Sequence, residues 1–250
     1  MRCSHSLVLL LTIVAACSTS GSSPSSPSSP SSGSDGEARP SQPIETARSI
    51  NQRFVAEDLD VDRFVGIFES ESREVFRARD EIVGKLELTP GMAIADVGAG
   101  TGLFLESFAE AVGPEGRVYA VEISPRFLDH LRERSEREGL DRVTVVRADP
   151  RSVELPPASV DVAFVCDTYH HFEYPKETLA SLLRAIRPGG SLVIVDFVRV
   201  PGVSADWVLD HVRADREAFS REIEEAGFER VGEIPVEELR ENYVLRFRRP

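Results

Sequence analysis

The sequence predicts an α/β fold: a doubly wound, mostly parallel seven-stranded sheet with an antiparallel C-terminal edge strand and N-terminal covering helices. Three observations support this prediction. Short runs rich in β-branched residues alternate with helical stretches after Pro90-Gly91. These runs are almost wholly apolar, which is typical of strands buried on both faces of a parallel sheet. The helical stretches are long enough to serve as crossover connections between parallel strands.

The elements follow one another in order along the chain. Five apolar residues before the sheet suit one helix face and predict the covering helices: Val75, Phe76, Ile82, Val83 and Leu86. The strand-like runs of the sheet are Ala93–Val97, Val118–Val121, Val143–Arg147, Val160–Cys166 and Leu192–Val198. The helical stretches are Leu103–Ala111, Pro125–Glu138, Glu177–Ile186 and Arg216–Ala226. Phe228–Ile234 and Tyr243–Phe247 are two further strand-like runs, and the short gap between them favours an antiparallel pair at the sheet edge.

The first 43 residues have a different composition from the rest. Residues 1–16 combine one positive charge, an apolar run and small residues, which is typical of an export signal. The segment Val14-Ala15-Ala16-Cys17 resembles the bacterial lipobox, in which the cysteine is acylated; a conventionally cleaved secretory signal is the alternative. Residues 17–43 are rich in Ser and Pro and are expected to form a disordered tether.

These features predict an exported, membrane-anchored lipoprotein of the bacterial cell envelope, with Cys17 as the lipidation site. The folded domain is expected over residues 44–250, with N-terminal helices at 44–90 and the sheet-bearing core at 91–250. The oligomeric state is left open.

Overall composition excludes several classes of protein. The chain has 250 residues and a formal net charge of −13, so a phosphate backbone would be repelled and a nucleic-acid partner is not expected. Three cysteines are too few for a disulfide framework. No apolar run reaches the roughly 18 residues that a membrane-spanning helix requires.

A glycine-rich loop follows the first predicted strand. Asp96 precedes a G-x-G-x-G pattern formed by Gly98, Gly100 and Gly102. Alternating glycines allow the backbone to turn sharply and to approach a ligand, and a helix N-terminus there offers free amide donors. Dinucleotide-binding loops favour G-x-G-x-x-G instead, so an NAD-linked oxidoreductase is a weaker interpretation.

At these residues the chain resembles the class I S-adenosylmethionine-dependent methyltransferases, whose sheet is Rossmann-like. The resemblance covers roughly Ser70 to Arg248 and implies S-adenosyl-L-methionine as the cofactor. By this resemblance, the segment from Asp96 to Gly102 lies against the methionine part of the cofactor, Glu122 accepts from the ribose hydroxyls, and Asp149 lies beside adenine. The implied cofactor-binding set is Asp96, Gly98, Ala99, Gly100, Gly102, Glu122, Ile123, Asp149 and Asp167.

The end of the fourth predicted strand carries the catalytic candidates. Tyr169, His170 and His171 follow Cys166 at the edge where the methyl group is expected, and a histidine there can accept a proton near neutral pH. The alternative is that one ring caps the strand end and another packs against a helix. Cys166 is expected to be a small, buried, inert residue.

Two segments are candidates for the acceptor side of the site. Glu69–Arg77 precedes the sheet and Asp206–Arg213 follows the fifth strand, where covering elements are common in this family. If they cover the site, Arg77, His211 and Arg213 are the candidates for orienting an anionic acceptor. Asn242-Tyr243 is a further candidate, and Trp207 is expected in the core.

Metal binding is not predicted. His170, His171 and His211, together with Asp167 or Asp210, are residue types that bind metals, but no spacing among them is diagnostic of zinc.

The sequence therefore predicts a methyltransferase that acts on a small-molecule or lipid-like acceptor. The alternative is a non-catalytic lipoprotein domain that binds a nucleoside or S-adenosylmethionine. The export signal and the cofactor point to different compartments, because S-adenosylmethionine is made in the cytoplasm. Delivery of cofactor across the membrane, a binding role without catalysis, and an inefficient signal that leaves a cytoplasmic population are the three explanations.

Overall fold

The structure is a computed structural model that describes residues 42–250. The expected signal segment, Cys17 and most of the expected tether lie outside the described residues. The seven strands are β1 (Ala93–Val97), β2 (Arg117–Glu122), β3 (Val143–Arg147), β4 (Val160–Cys166), β5 (Ile186–Phe197), β6 (Glu229–Glu233) and β7 (Asn242–Arg248).

These strands form one sheet in the order β3-β2-β1-β4-β5-β7-β6. Strands β1 to β5 pair in parallel, and β7 runs antiparallel to both of its neighbours, β5 and β6. The predicted fold class is confirmed. The antiparallel strand β7 lies one position in from the edge, which β6 occupies.

Helices cover both faces of the sheet and its carboxyl edge. They are α1 (Glu45–Asn51), α2 (Val61–Phe68), α3 (Glu74–Arg77), α4 (Arg79–Lys85), α5 (Leu105–Val112), α6 (Pro125–Arg137), α7 (Pro175–Ala185), α8 (Asp206–His211) and α9 (Arg216–Glu225). A single 3-10 turn, Tyr169–His171, follows β4. In the part of the chain that the structure describes, no helix is long and apolar enough to cross a membrane.

Strand burial on both faces divides the core into two clusters. All five residues of β1 are buried, as expected for a central parallel strand. Ile94 packs with Val118 and Phe164 on one face of the sheet. Ala95 and Val165 pack on the other face. This alternation fixes the register of the strands and therefore the positions of the residues that close them.

Most predicted boundaries agree with the structure to within two residues, and two predictions differ by more. Strand β5 begins at Ile186, before the predicted start at Leu192, so it includes Pro188-Gly189-Gly190. The pairing explains the difference, because Val160 pairs with Ile186 before a register shift leads to the pair Val162 and Ser191. The apolar residues predicted on one covering helix are divided between α3 and α4, two short helices in succession.

Side-chain caps determine where two helices near the site begin. Ser124 accepts a hydrogen bond from the Phe127 N–H at 3.4 Å and Pro125 occupies the first turn of α6. Asp60 accepts from the Arg63 N–H at 3.1 Å and caps α2. These helix starts place the apolar faces of α2 and α6 next to each other beyond the carboxyl ends of the strands.

Candidate functional site

A cavity of about 880 Å³ lies at the carboxyl ends of β1, β2 and β4. The glycine loop after β1 forms its floor, and residues of α1, α2, α6 and α8 line its other sides. Ligands of doubly wound sheets bind at this edge, and the cavity has a size typical of small-molecule sites. The structure therefore brings most of the predicted site residues to one place.

The glycine loop is shaped by a close approach of the chain after β4. Gly98 has a φ of +74°, and a Cβ added there would lie 2.3 Å from Thr168 Cγ2. The Gly98 N–H donates to the Val121 carbonyl at 2.8 Å, which ties the loop to β2. Gly98 is thus required both by its backbone conformation and by the space that Thr168 occupies.

Glu122 closes β2 and receives three backbone N–H groups. Its Oε2 accepts from the Gly100 N–H at 2.9 Å, and its Oε1 accepts from Ile123 and Ser124 at 2.8 and 2.9 Å. Burial raises the pKa of Glu122, and these three hydrogen bonds oppose that rise. Because a carboxylate has about four acceptor positions, the side chain keeps capacity for a further donor from the cavity.

Asp96 is the second buried carboxylate on the cavity wall. Burial, followed by the neighbouring Glu122 carboxylate, raises the pKa of Asp96 to about 7. Within residues 42–250, no Lys or Arg side chain pairs with Asp96 or Glu122. Two buried acidic groups without a cationic partner are costly, and a cationic ligand would offset that cost. These residues therefore fit S-adenosylmethionine, which carries a sulfonium, an ammonium group and two ribose hydroxyls.

Most of the remaining predicted cofactor residues also line the cavity. Asp149 is exposed at its mouth, where its Oδ1 accepts from the Arg151 N–H at 2.9 Å. Ile123 and Ala99 lie on the wall between Glu122 and the glycine loop. Gly102 is not part of the wall; an added Cβ there would lie 3.0 Å from Leu105 and Leu131. Its role is to let the loop pack against α6, and the adenine contact of Asp149 stays a prediction.

Asp167 has partners on two other parts of the chain. It forms an ion pair with Arg73, and its Oδ1 accepts from Asn242 Nδ2 at 2.6 Å. Burial raises the pKa of Asp167, and the Arg73 guanidinium opposes that rise. Asp167 therefore joins the covering segment before α3 to the end of β4 and the start of β7. Asp167 also lines the cavity, so the cofactor contact that the sequence assigned to it stays a prediction alongside this structural role.

His170 lies on the cavity wall and is fixed by Asp196. Its Nδ1 lies 2.8 Å from Asp196 Oδ1, and its backbone N–H donates to Asp196 Oδ2 at 3.2 Å. Both side chains are buried. The Nε2 atom is also buried and has no hydrogen-bond partner among the described residues. The ring is therefore oriented by the strand and offers one unused nitrogen.

His171 and His211 lie beside His170. The ring centroid of His170 lies 4.3 Å from that of His171 and 5.0 Å from that of His211. Burial, then the neighbouring His170 and His211 and the Arg53 cation, holds the pKa of His171 well below its usual range. Burial likewise lowers the pKa of His211 to about 4. Both rings are therefore neutral at neutral pH.

Among the catalytic and acceptor candidates, Tyr169, Arg213 and Arg77 do not line the cavity. Tyr169 is fully buried in the core, and its hydroxyl donates to Glu222 Oε2 at 3.0 Å. Arg213 pairs with the same Glu222 at 2.7 Å and stacks over Phe219. Arg77 Nη1 donates to the Glu71 carbonyl at 2.7 Å on the surface. The catalytic candidate Tyr169 and the acceptor candidates Arg213 and Arg77 therefore have structural contacts instead.

Three further sequence predictions concern residues at or beside the cavity. Asn242 lines the cavity, whereas Tyr243 is buried behind it. Trp207 is 51% exposed at the cavity rim, so the prediction that it is buried in the core is wrong. Cys166 is a free thiol that lines the cavity and is half-buried, not fully buried as predicted. Its pKa is raised well above its usual value by burial, which agrees with the expected inert thiol.

An aromatic cluster over the cavity was missed from the sequence. Its members are Phe54, Phe64, Phe68 and Phe127, with neighbouring ring centroids 5.3 to 6.4 Å apart. The Phe68 ring lies 3.7 Å from the position that a Gly100 Cβ would occupy. The cover over the glycine loop is therefore apolar. The amphipathic spacing of Phe64 and Phe68 was a local signal for it, but their contact with α6 depends on the fold.

Comparisons with known proteins agree with this geometry. Residues 95–194 match the family model described as "Methyltransferase domain". The chain is 30% identical over 128 residues to the ubiquinone/menaquinone biosynthesis C-methyltransferase UbiE of Bordetella parapertussis, an alignment that covers 50% of this chain and 49% of the relative. The chain thus spans about half the length of the curated relatives it matches.

Two solved structures share the fold. A SAM-dependent methyltransferase from Aquifex aeolicus aligns with a TM-score of 0.68 and 23% identity, over 76% of this chain and 99% of that one. A Haemonchus contortus N-methyltransferase, solved with phosphomonomethylethanolamine and S-adenosylhomocysteine, aligns with a TM-score of 0.60 and 22% identity, over 74% of this chain and 46% of that one. The matched domain and the fold support S-adenosylmethionine as the cofactor and methyl transfer as the reaction class.

Proposed function

We propose that the chain is an S-adenosylmethionine-dependent methyltransferase whose acceptor is a small, largely apolar or lipid-like molecule. The observation that carries this proposal is the pair of buried carboxylates, Asp96 and Glu122, which face the cavity without a Lys or Arg partner in the described chain. The alternative is a non-catalytic domain that binds a nucleoside or S-adenosylmethionine, because the same pair would serve binding alone.

The residues around the cofactor bind and orient it. Asp96 provides a negative charge for its cationic part, and Glu122 accepts from its ribose hydroxyls. The glycines at 98 and 100 allow the backbone to come close to it. The bound cofactor supplies an electrophilic methyl group on sulfur. The aromatic cluster then excludes water from that region and holds the acceptor in line, which supplies much of the catalysis of a direct displacement.

His170 is the residue proposed to accept a proton from the acceptor. The acceptor atom forms its new bond to the methyl carbon, the carbon–sulfur bond breaks, and the bonding electrons stay on sulfur. Where the acceptor atom must lose a proton, Nε2 of His170 takes it, and Asp196 at Nδ1 stabilises the resulting imidazolium. Acceptors without such a proton need only the positioning.

Two observations support an apolar acceptor. Four aromatic residues line the cavity: Phe54, Phe64, Phe68 and the rim residue Trp207. The name of the Bordetella parapertussis relative refers to ubiquinone and menaquinone biosynthesis, so quinol-type rings are the first acceptors to test.

Turnover of the full 250-residue chain tests the proposal. The chain is incubated with S-adenosylmethionine labelled on the methyl group and with quinol-type and lipid-headgroup acceptors in separate reactions. Methylated product together with S-adenosylhomocysteine supports the enzyme. Saturable cofactor binding without product from any acceptor supports the binding domain instead.

We also propose that the enzyme is exported and anchored through a lipid on Cys17, with a cytoplasmic population as the alternative. The lipobox-like segment and the Ser/Pro-rich residues after it support this location. Palmitate labelling of cells that express the chain should mark the wild type and Cys3→Ser but not Cys17→Ser. An unlabelled wild type would remove the anchor from the proposal.

A further inference from the structure

We propose that His170, His171 and His211 form a binding site for a divalent transition-metal ion on the wall of the cavity. The three residues come from two different parts of the chain: the turn after β4 and helix α8. One ring nitrogen of each lies within 4.8 Å of one ring nitrogen of the others. The fold therefore assembles a three-imidazole cluster that has no signature in the sequence.

In two of the three rings, a hydrogen bond occupies Nδ1 and leaves Nε2 available to bind a metal ion. Nδ1 of His170 is held by Asp196, so its buried Nε2 is the nitrogen without a partner. Nδ1 of His171 lies 2.8 Å from Asn51 Oδ1. The Asn51 amide nitrogen donates to the His171 carbonyl and to Glu173 Oε1, which identifies Oδ1 as the acceptor and His171 Nδ1 as the donor. With Nδ1 as the hydrogen-bond donor, the imidazole form of each ring presents a lone pair on Nε2.

The groups behind these rings are those that support metal ligands. A histidine ligand usually donates its other N–H to a carboxylate or a carbonyl oxygen, which fixes the ring and increases its basicity. Asp196 holds this position for His170, and Asn51 holds it for His171. Asp196 also places a buried negative charge next to the cluster, which offsets part of the charge of a bound cation.

The ring nitrogens of the three histidines must move closer together to bind an ion. Tetrahedral sites with metal–nitrogen bonds of about 2.0 to 2.1 Å place two ligand nitrogens roughly 3.3 Å apart. The observed upper limit of 4.8 Å therefore requires a shift of at most about 1.5 Å. His211 can supply it, because its ring is only partly buried on the six-residue helix α8, whereas His170 is buried and held by Asp196.

The ligand set selects the class of ion. Neutral imidazoles suit zinc, iron, cobalt, nickel and copper, whereas magnesium and calcium prefer oxygen. Three protein ligands leave a coordination position open, as in catalytic zinc sites, and all three histidines line the cavity. An oxygen of the acceptor can occupy that position. A nitrogen that binds a metal cannot accept a proton, so this site and the proton-accepting role of His170 exclude each other in one molecule.

Titration of the full chain with Co²⁺ tests the site, because cobalt in a low-symmetry nitrogen site has visible absorption. Cys3→Ser and Cys17→Ser are included in every preparation to remove two thiol ligands outside the described residues. No cofactor is added, so the result does not depend on the proposed methyl transfer. We expect saturable absorption, and competition by Zn²⁺ should remove it.

Three variants assign the ligands. His211→Gln should weaken Co²⁺ binding at least about tenfold, and Asp196→Asn should weaken it by about 10- to 100-fold through the orientation of His170. His130→Gln is the matched control, since His130 lies on α6 outside the cluster. Far-UV circular dichroism checks that each variant is folded. Substitution of His211 is expected to disturb the fold least, because this residue is only partly buried.

Two outcomes would overturn the proposal. One is the absence of Co²⁺ absorption at millimolar metal in the folded chain. The other is binding that His211→Gln leaves unchanged or that His130→Gln weakens equally, which would place the metal elsewhere.

Discussion

Glu122 Oε2 accepts a hydrogen bond from the Gly100 N–H at 2.9 Å, which links the end of β2 to the loop after β1. The same carboxylate receives the Ile123 and Ser124 N–H groups at the start of α6. One buried side chain therefore holds together the two segments that the proposed cofactor touches. Its geometry is set before any ligand binds, which reduces the cost of ordering the site on binding.

Replacing this carboxylate should weaken cofactor binding strongly. Glu122→Gln removes the negative charge and replaces one acceptor oxygen with a donor nitrogen. We therefore expect S-adenosylmethionine affinity to fall by about 10- to 100-fold. This loss is equivalent to about 1.5–3 kcal/mol, the range for hydrogen bonds to charged groups. Glu106→Gln on the exposed face of α5 is the control. Equal affinities of the two variants would contradict the role of Glu122.

Asp96 should make cofactor affinity depend on pH. Its pKa is raised to about 7, so part of the population is protonated below neutrality and lacks the charge that a cationic ligand needs. Affinity for S-adenosylmethionine should rise between about pH 6 and pH 8 in the wild type. Asp96→Asn should bind more weakly and show no such rise. A wild-type affinity that is constant over this range would refute the prediction.

The same residue should make the folded chain less stable as pH rises. Because the folded pKa of Asp96 is above its unfolded value of 3.8, the folded state binds more protons between about pH 4 and pH 7. Stability from this group is therefore present at low pH and is lost as pH increases through that window, by up to a few kcal/mol. Urea unfolding should show Asp96→Asn to be more stable than wild type at pH 8, and the difference should shrink toward pH 5.

Gly98 should be far less tolerant of a side chain than a comparable glycine elsewhere. Gly98→Ala places a methyl group 2.3 Å from Thr168 Cγ2 in addition to requiring a φ of +74°. Gly139 has a similar φ of +64° but open space around it, so Gly139→Ala measures the backbone strain alone, about 1–2 kcal/mol. We expect Gly98→Ala to cost about 1–3 kcal/mol more in unfolding free energy. Equal costs would show that the contact with Thr168 relaxes freely.

The ion pair between Arg73 and Asp167 should hold the cover over the cavity. Arg73→Gln should destabilise the chain by about 2 kcal/mol and increase hydrogen exchange in residues 70–77 and at the start of β7. Arg132→Gln, which alters a surface pair with Asp129 on α6 instead, is the control. A double-mutant cycle with Asp167→Asn measures the coupling. A coupling energy of zero would mean that the cover is held by apolar packing alone.

The sheet and the cofactor side of the site follow from local patterns in the sequence. β1 and β4 are mostly apolar runs with one aspartate each, Asp96 and Asp161, and a charged residue or glycine at or just after the end of each strand marks the edge where ligands bind. Asp96 and Glu122 are therefore predictable from their positions at strand ends. Asp196 gave a comparable signal, an acidic residue within the apolar run of β5, but its partner His170 lies 26 residues away and could not be identified from it.

The acceptor side depends on tertiary contacts that the sequence does not encode locally. Tyr169 and His170 are neighbours in one 3-10 turn, yet one ring enters the core and the other lines the cavity. Their sequence position alone gives no way to distinguish them. The sequence predicted Arg213 as an anion ligand, but in the structure it pairs with Glu222. Trp207 is exposed because it lies on the short helix α8 at the cavity rim.

Calorimetric titration of the full chain with S-adenosylmethionine tests the central claim most directly. We expect saturable binding in the wild type, retained by Glu106→Gln and strongly reduced in Glu122→Gln and Asp96→Asn. An absence of binding heat at millimolar S-adenosylmethionine, in a chain shown to be folded by circular dichroism, would contradict the assignment of this cavity as a cofactor site.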